Sequence, residues 1–243
     1  MKPIADFHVH TIASGHAFST IEELAAAAKK KGLKYLGIAE HGPAMPGGPH
    51  EYYFHNLKIL PEKIHGVRIL KGIEANIISK KGELDLREVF LKRMEIVIAS
   101  CHIVVTPQKM SAEENTRIYL NVLENKNIDV LGHIENPAFP IKVKEVVGAA
   151  KESGKIVEIN NASFTVARKG SYDTCVEIMK ELKQNNMKVM INSDAHISNL
   201  VGAIKEAWQI AKEIGIKKEQ VINFSEELTE EFLSQRRSRL GIK

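Results

Sequence analysis

The sequence predicts an α/β fold, a distorted (β/α)7 TIM-like barrel that forms a single domain. Strand-like apolar segments alternate with helix-like segments along almost the whole chain. The apolar segments show little polar alternation, which is typical of parallel strands covered on both faces. The length of 243 residues suits one α/β barrel. Strands that alternate with helices imply parallel pairing through right-handed crossovers.

Seven segments have the length and apolar composition of buried strands. They cover residues 4–7, 33–39, 67–73, 95–100, 128–131, 156–159 and 189–191. A further segment at 221–224 is a weak candidate for an eighth strand. We therefore expect seven strands, one fewer than in the ordinary barrel of this type.

Helix signals separate the predicted strands. Ser19-Thr20-Ile21-Glu22 is interpreted as a capping box that begins an Ala-rich helix, which Gly32 is placed to end. Ser111-Ala112-Glu113-Glu114 begins another helix, which extends to about residue 126. Further helices are predicted at about 143–153, 174–186 and 200–214, together with a polar helix at the end of the chain. The segment 42–50, rich in proline and glycine, is predicted to be a loop.

Composition narrows the class of protein. The chain has 34 Lys and Arg against 30 Asp and Glu, a net charge of +4 that is too small to indicate nucleic-acid binding. Cys101 and Cys175 form no CxxC motif and are too few for a disulfide framework, which favours a reducing compartment. No basic leader is present, and no apolar segment approaches the roughly 20 residues needed to span a membrane. A cytoplasmic protein without a membrane partner is expected.

Side chains that bind metals follow most of the predicted strands. His8 and His10 are two residues apart, so on an extended chain both rings point to the same side. Asp194 and His196 repeat this spacing after the seventh strand. Because the carboxyl ends of barrel strands share one face, these side chains are predicted to converge there. The full candidate set is His8, His10, His16, His41, Glu74, His102, His133, Asp194 and His196.

Several motifs resemble those of a known superfamily. They are Asp6-Phe7-His8-Val9-His10-Thr11, Ala13-Ser14-Gly15-His16-Ala17, Glu40-His41-Gly42, Gly72-Ile73-Glu74-Ala75-Asn76 and Ser193-Asp194-Ala195-His196. Together they resemble the polymerase and histidinol phosphatase (PHP) superfamily. Glu158-Ile159-Asn160-Asn161 and Arg168-Lys169-Gly170-Ser171 narrow the resemblance to stand-alone bacterial PHP phosphatases. The resemblance covers nearly the whole chain and implies one PHP-type domain over residues 1–243.

This resemblance implies three divalent metal ions, first of all Zn²⁺, with Mn²⁺ or Fe²⁺ as alternatives. Glu74 would bridge the first two ions. The implied ligands are His8, His10, Glu74 and Asp194 for the first ion, Glu74, His102 and His133 for the second, and His16, His41 and His196 for the third. The resemblance also implies a homotrimer that acts on a small phosphorylated substrate.

Two positions depart from the family pattern. Ile134 stands where the family usually has proline after the histidine. The residues around His102, namely Cys101, Ile103 and Val104, are more apolar than the family pattern. Neither difference removes a ligand, and both bear on substrate specificity.

The predicted chemistry is hydrolysis of a phosphate monoester by a metal-bound hydroxide, supported by His10, Glu74 and Asp194. No covalent enzyme intermediate is required. Arg168 is the candidate for gripping phosphate with its guanidinium fork. Asn160 is predicted to face the cleft, and His50, in the loop 42–50, is a candidate for contact with substrate.

Other functions stay open on the sequence alone. An amidohydrolase also opens with an HxH motif on a barrel, although Glu74 in place of a modified lysine and the additional His16 favour the phosphatase. A nuclease or phosphodiesterase of the same superfamily is a weaker alternative, because the chain has no marked basic excess. A metal-bound scaffold without activity is the non-enzymatic alternative.

Overall fold

Seven parallel strands form the central sheet of the protein, which a computed structural model describes for residues 2–242. A two-residue strand at Lys63–Ile64 pairs antiparallel with the strand at Val67–Asn76 and lies outside this series. The strands are β1 (Ala5–Val9), β2 (Tyr35–His41), β3 (Lys63–Ile64), β4 (Val67–Asn76), β5 (Ile96–Ser100), β6 (Val130–Leu131), β7 (Ile156–Asn160) and β8 (Val189–Asn192). The parallel strands lie in the order β1-β2-β4-β5-β6-β7-β8, so consecutive strands are neighbours as in a singly wound barrel.

The sheet curls into a nearly closed barrel. Val9, at the end of β1, forms a parallel bridge with Ala195, just beyond β8. The Phe7 amide donates to the Asn192 side-chain oxygen at 3.0 Å across the same seam. The predicted distorted (β/α)7 barrel is therefore confirmed.

The weak eighth strand candidate at 221–224 does not form. Val221 makes one isolated parallel bridge with Val189, and the chain then enters the 3₁₀ turn Ile222–Phe224. The turn hydrogen bonds of that segment replace a strand ladder, so the barrel stops at seven parallel strands.

Eight α-helices within residues 2–242 surround the sheet. They are α1 (Ile21–Lys31), α2 (Glu51–Asn56), α3 (Glu88–Leu91), α4 (Ala112–Leu123), α5 (Val143–Glu152), α6 (Tyr172–Gln184), α7 (Lys205–Ile214) and α8 (Glu226–Leu240). No helix in this part of the chain combines the length and apolarity needed to cross a bilayer.

The first capping box lies one residue later than predicted. Thr20 is the N-cap of α1 and pairs reciprocally with Glu23, in place of Ser19 with Glu22. The Ser19 hydroxyl is engaged elsewhere, since it accepts from the Ser198 amide at 3.0 Å. The box of Ser111 and Glu114 begins α4 as predicted.

Apolar packing fixes the strands that carry the functional residues. Every residue of β1, β2 and β5 is buried. One apolar cluster joins strand residues such as Phe7 and Ile98 to Phe232 of α8. A larger cluster packs α4, α5 and α6 against the strands. Because close-packed interiors resist displacement, the strand ends present their polar side chains from a rigid frame.

Candidate metal centre

The carboxyl ends of the strands bring all nine predicted ligands into one cluster. Potential ligand atoms within each of three groups lie within 4.8 Å of one another. These groups are His8 with His10 and Asp194, His10 with His41 and His196, and His41 with Glu74 and His102. Since the groups share His10 and His41, the donors form a continuous cluster rather than separate triads. His16 and His133 join the same cluster through the contacts described next.

Glu74 lies at the centre of this cluster. Its carboxylate is fully buried, on a strand that is apolar on both sides of it. Its two oxygens lie between 2.7 and 3.6 Å from the nearest ring nitrogens of five histidines, His8, His10, His41, His102 and His133. A single carboxylate among so many imidazoles is placed to bridge more than one cation.

The remaining donors complete the cluster on either side of Glu74. The Nε2 atom of His16 lies 3.2 Å from the Nε2 atoms of both His41 and His196. Asp194 Oδ1 lies 3.3 Å from His10 Nε2 and 3.8 Å from His8 Nε2. The structure thus brings together the three ligand groups that the family resemblance implies.

Hydrogen bonds to atoms that are not metal-ligand candidates orient four of the imidazoles. In each ring Nδ1 has a partner, which directs Nε2 toward the cluster. The pairs are His8 with Glu158 at 2.7 Å, His10 with Ser14 at 3.1 Å, His102 with Asn76 at 2.8 Å, and His196 with the Asp194 carbonyl at 3.0 Å. This arrangement is the usual one for metal-binding histidines, because the bond to Nδ1 fixes the tautomer that offers Nε2 as ligand.

The inward atoms have the properties of metal ligands. His8 Nε2, His10 Nε2 and Glu74 Oε2 are buried and have no hydrogen-bond partner among the described residues. Leaving such atoms unpaired in a protein interior is costly. A tetrahedral zinc site with bonds of about 2.0–2.1 Å requires ligand atoms about 3.3 Å apart. The separations of 3.2 Å between His16 and His196, 3.3 Å between His10 and Asp194 and 3.6 Å between His10 and Glu74 match this spacing. The donor set therefore fits divalent transition metals.

The electrostatics of the cluster also favour bound cations. Burial acts to raise the pKa of Glu74, yet electrostatic interaction with the neighbouring His102, His8 and His41 holds that pKa well below its ordinary value. Burial likewise opposes ionisation of Asp194, and His8, His10 and Arg168 together depress its pKa well below the usual range. Both carboxylates are therefore anionic at neutral pH and require positive charge around them.

Sequence reasoning missed the residues that support the ligands. Glu158 of β7 accepts from the amides of Asn160 and Asn192 as well as binding His8. Glu40 of β2 accepts from the Ser14 hydroxyl, and Ser14 in turn contacts His10. A signal was available for both, since each is a carboxylate in an apolar strand, the pattern that identified Glu74.

The predicted substrate residues divide into two groups. Arg168 and Asn160 border the cluster: the Arg168 Nη2 atom lies 3.0 Å from Asp194 Oδ2, and Asn160 Nδ2 donates to the same oxygen at 3.2 Å. His50 is instead the N-cap of α2, where its Nδ1 accepts from the Tyr52 amide at 3.2 Å. It is exposed and is not among the described residues that line the opening above the cluster.

Asp6 belongs to the motif of His8 and His10, but its side chain is not bonded to an imidazole ring and is not exposed to solvent. Its carboxylate is fully buried and accepts from the amides of Ser193 and Gly202. It also binds the Ser193 hydroxyl. Asp6 therefore ties β1 to the loop that carries Asp194, and burial raises its pKa despite these hydrogen bonds.

Comparison with known proteins identifies the family. The model of the PHP domain matches residues 6–169. The chain belongs to the PHP domain family. A protein of Thermoanaerobacter sp. (strain X514) named as a probable phosphatase is 46% identical over 241 residues, which cover 99% of this chain and 98% of the relative. A relative from Acetivibrio thermocellus with the same name is 44% identical over 244 residues, which cover 100% of both chains.

A solved PHP structure supports the fold. Histidinol phosphate phosphatase from Lactococcus lactis, whose crystal structure contains zinc, L-histidinol and phosphate, superimposes with a TM-score of 0.61. The superposition covers 88% of this chain and 95% of that one, at 18% sequence identity. At this identity the likeness establishes the barrel architecture alone.

Replacement of Glu158 by glutamine is expected to weaken metal binding by about 10–100-fold, the usual effect of losing a partner of a ligating histidine. Glutamine fills the same space but cannot hold His8 with a charged acceptor. The change is best measured as the metal affinity in a chelator competition. Glu152→Gln, on the exposed end of α5, is the matched control. An unchanged affinity in Glu158→Gln would show that Glu158 does not position His8.

Proposed function

We propose that the protein is a metal-dependent phosphatase that hydrolyses phosphate monoesters of small molecules at a centre of three divalent ions. The observation that carries the proposal is the convergence of nine donors, with four of the seven imidazoles oriented by hydrogen bonds to Nδ1. The names of relatives that match the full chain at 44–46% identity support the same reaction. His8, His10, Glu74 and Asp194 would hold one ion, Glu74, His102 and His133 a second, and His16, His41 and His196 a third.

Divalent ions bound at this position would supply Lewis acidity, which activates water at neutral pH and neutralises phosphate oxygens. The protein's own contribution is to hold donors and substrate in place. Glu74 and Asp194 would provide the anionic charge that retains the ions, and the Nδ1 partners keep the imidazole rings from rotating. Such preorganisation reduces the rearrangement needed as charge develops on phosphorus.

Arg168 is the group proposed to bind the phosphate. Its Nε donates to Ser163 at 2.7 Å and its Nη2 donates to Asn160 at 2.7 Å, so the guanidinium is held at the edge of the cluster. Nη1 makes no hydrogen bond within residues 2–242 and is available to a phosphate oxygen. Arg168 also lines the opening together with His16 and His133.

The cysteines do not suit a covalent mechanism. Cys101 is buried beside Thr106 and Tyr119, and burial raises the pKa of its thiol to about 11. Cys175 is buried in α6, and its pKa is also raised by burial. A thiol that stays protonated at neutral pH is a poor nucleophile, so direct attack by activated water fits the site better.

Elemental analysis with an activity assay tests the proposal. We expect about three transition-metal equivalents per chain, since nine donors supply three or four protein ligands to each ion. Hydrolysis of p-nitrophenyl phosphate should fall more than about 100-fold in His10→Ala, because loss of a direct ligand should exceed the effect of losing an outer partner. His65→Ala, on the exposed turn before β4, is the control.

Three other outcomes would contradict the proposal. Two metal equivalents together with cleavage of C–N bonds would favour the amidohydrolase. Preferential cleavage of DNA or of phosphodiesters would favour the nuclease. A fully metallated chain without activity on phosphate esters would favour the scaffold. The homotrimer, the cytoplasmic location and the extent of one domain over residues 1–243 stay predictions.

A further inference from the structure

The opening above the metal centre has one polar wall and one apolar wall. Histidine ligands, Arg168 and the amide of Asn136 form the polar wall. The apolar wall consists of Met45 and Pro46, from the loop after β2, and Ile103 and Val104, from the loop after β5. A molecule whose phosphate reaches the polar wall has the apolar wall beside it.

Most of this wall is exposed to solvent. Ile103 is 61% exposed, Val104 is 65% exposed and Pro46 is exposed, whereas Met45 is buried. Single exposed apolar residues are common, but a group of them beside a polar cleft is typical of a ligand-binding surface. Burial of this surface by a bound molecule would be favourable in proportion to the apolar area covered.

Both loops of the wall are anchored to the barrel. The Thr106 hydroxyl donates to the Ile77 carbonyl at 2.7 Å and accepts from the His102 amide at 3.0 Å, which fixes the turn that carries Ile103 and Val104. The loop of Met45 packs against the loop after β1 at Gly15, where a Cβ atom would lie 2.5 Å from the Gly47 oxygen. Gly15 also has a positive φ of 83°, so this close approach requires glycine.

The charges around the opening restrict the ligand further. None of the described residues that line it is acidic, and Arg168 is the single Lys or Arg among them. An ammonium group on the substrate would find no carboxylate there. A second phosphate would find no further lysine or arginine. The opening thus suits one anionic group attached to an uncharged apolar body.

We propose that the wall formed by Met45, Pro46, Ile103 and Val104 selects phosphate monoesters whose alcohol carries an uncharged, apolar body. This inference rests on the proposed phosphatase function and names its substrate class. It disfavours amino alcohol phosphates, because no described lining residue is acidic, and it disfavours sugar phosphates and nucleotides, because besides the histidines and Arg168 the described lining offers their polar groups one side chain, the Asn136 amide.

A homologous series of alkyl phosphates tests the inference by turnover. Ethyl and pentyl phosphate have leaving groups of similar reactivity and differ by three methylenes. Pentyl phosphate is expected to have a kcat/KM on the order of 10-fold higher, less than full burial of each methylene would give. Phosphoethanolamine should be hydrolysed more slowly than ethyl phosphate. Equal values of kcat/KM for ethyl and pentyl phosphate would overturn the substrate assignment while leaving the phosphatase function intact.

Binding of the matching phosphonates supplies a readout that does not need turnover. Calorimetry of the metal-loaded protein should give a lower Kd for pentylphosphonate than for ethylphosphonate, with a more negative heat-capacity change that reports apolar burial. If no phosphate ester is hydrolysed, the proposed function fails, and this measurement still decides whether the apolar wall binds alkyl groups. Equal Kd values and heat-capacity changes for the two phosphonates would refute the proposal that the apolar wall binds the alkyl group.

Two isosteric substitutions test whether Val104 contributes to the preference for pentyl phosphate. Val104→Thr replaces one methyl group of the wall with a hydroxyl. It is expected to lower the ratio of kcat/KM for pentyl phosphate to that for ethyl phosphate about threefold, because a polar group disturbs the apolar contact. Val166→Thr is the matched control, because Val166 is 82% exposed and does not line the opening. Both positions are on the surface, so both variants should fold. An equal ratio in the two variants would show that Val104 does not contact the substrate.

Discussion

Glu74→Gln is expected to abolish phosphate-ester hydrolysis and to release at least one metal ion per chain. Glu74 is the donor that contacts five imidazoles, and its carboxylate is fully buried. Glutamine has the same shape but a single acceptor oxygen and no charge. The remaining amide group would point N–H bonds toward histidine nitrogens that are placed to bind cations. Activity should fall by more than the roughly 100-fold upper limit for an outer partner.

The measurement is a paired one, of metal content by elemental analysis and of kcat/KM for p-nitrophenyl phosphate. Glu152→Gln makes the same chemical change on the exposed face of α5 and should leave both quantities unaltered. The circular dichroism spectrum should show that Glu74→Gln still folds, because the apolar packing on both sides of β4 is unchanged. A Glu74→Gln protein with full metal content and full activity would refute the central role of this carboxylate.

The ligands could be predicted because their signal is local. His8 and His10 are two residues apart on a strand, and Asp194 and His196 repeat that spacing. His41, Glu74, His102 and His133 each follow an apolar segment, and the barrel topology places all strand ends on one face. Periodicity and topology therefore suffice to gather side chains that lie up to 188 positions apart in the sequence.

The supporting residues depend on information that is not local. Glu158 reaches His8 across 150 positions, and the Asn192 amide that steadies Glu158 comes from the neighbouring strand β8. Which carboxylate serves which imidazole follows from the register of strands, which one sequence does not specify. For His50 a local explanation was overlooked. This residue was predicted to contact substrate, whereas its role is that of the N-cap of α2.

The buried ion pair at the amino ends of the strands was also absent from the predictions. Asp129 precedes β6, whereas Arg236 lies 107 positions away on α8. Arg236 lies in a polar segment of the sequence, so nothing local marks it as core, whereas Asp129 lies within the predicted strand 128–131 and could have been recognised as a buried carboxylate. Their burial becomes apparent once α8 is known to pack beneath the barrel, where Phe232 and Leu233 join the apolar cluster of Phe7.

Arg236→Ala is expected to be the most destabilising single change away from the metal centre. The Arg236 side chain is almost fully buried and donates to three carbonyl groups and to the Asp129 carboxylate. Truncation would leave the charge of Asp129 buried with fewer donors and the carbonyls unpaired. Breaking a buried pair in this way costs about 3–5 kcal/mol, which corresponds to a fall in Tm on the order of 10 °C for a chain of this size.

Arg237→Ala is the matched control, because Arg237 is the adjacent residue of α8 and is exposed. Thermal unfolding should separate the two variants by most of the expected shift, and a Tm of Arg236→Ala equal to that of Arg237→Ala would contradict the assignment. Arg236 acts at the amino ends of β5 and β6, where it binds the Met94 carbonyl and Asp129, whereas the metal ligands lie at the opposite ends of the strands. Metal content and kcat/KM measured well below the Tm should therefore stay unchanged in Arg236→Ala, because Arg236 and the metal ligands lie at opposite ends of the barrel strands.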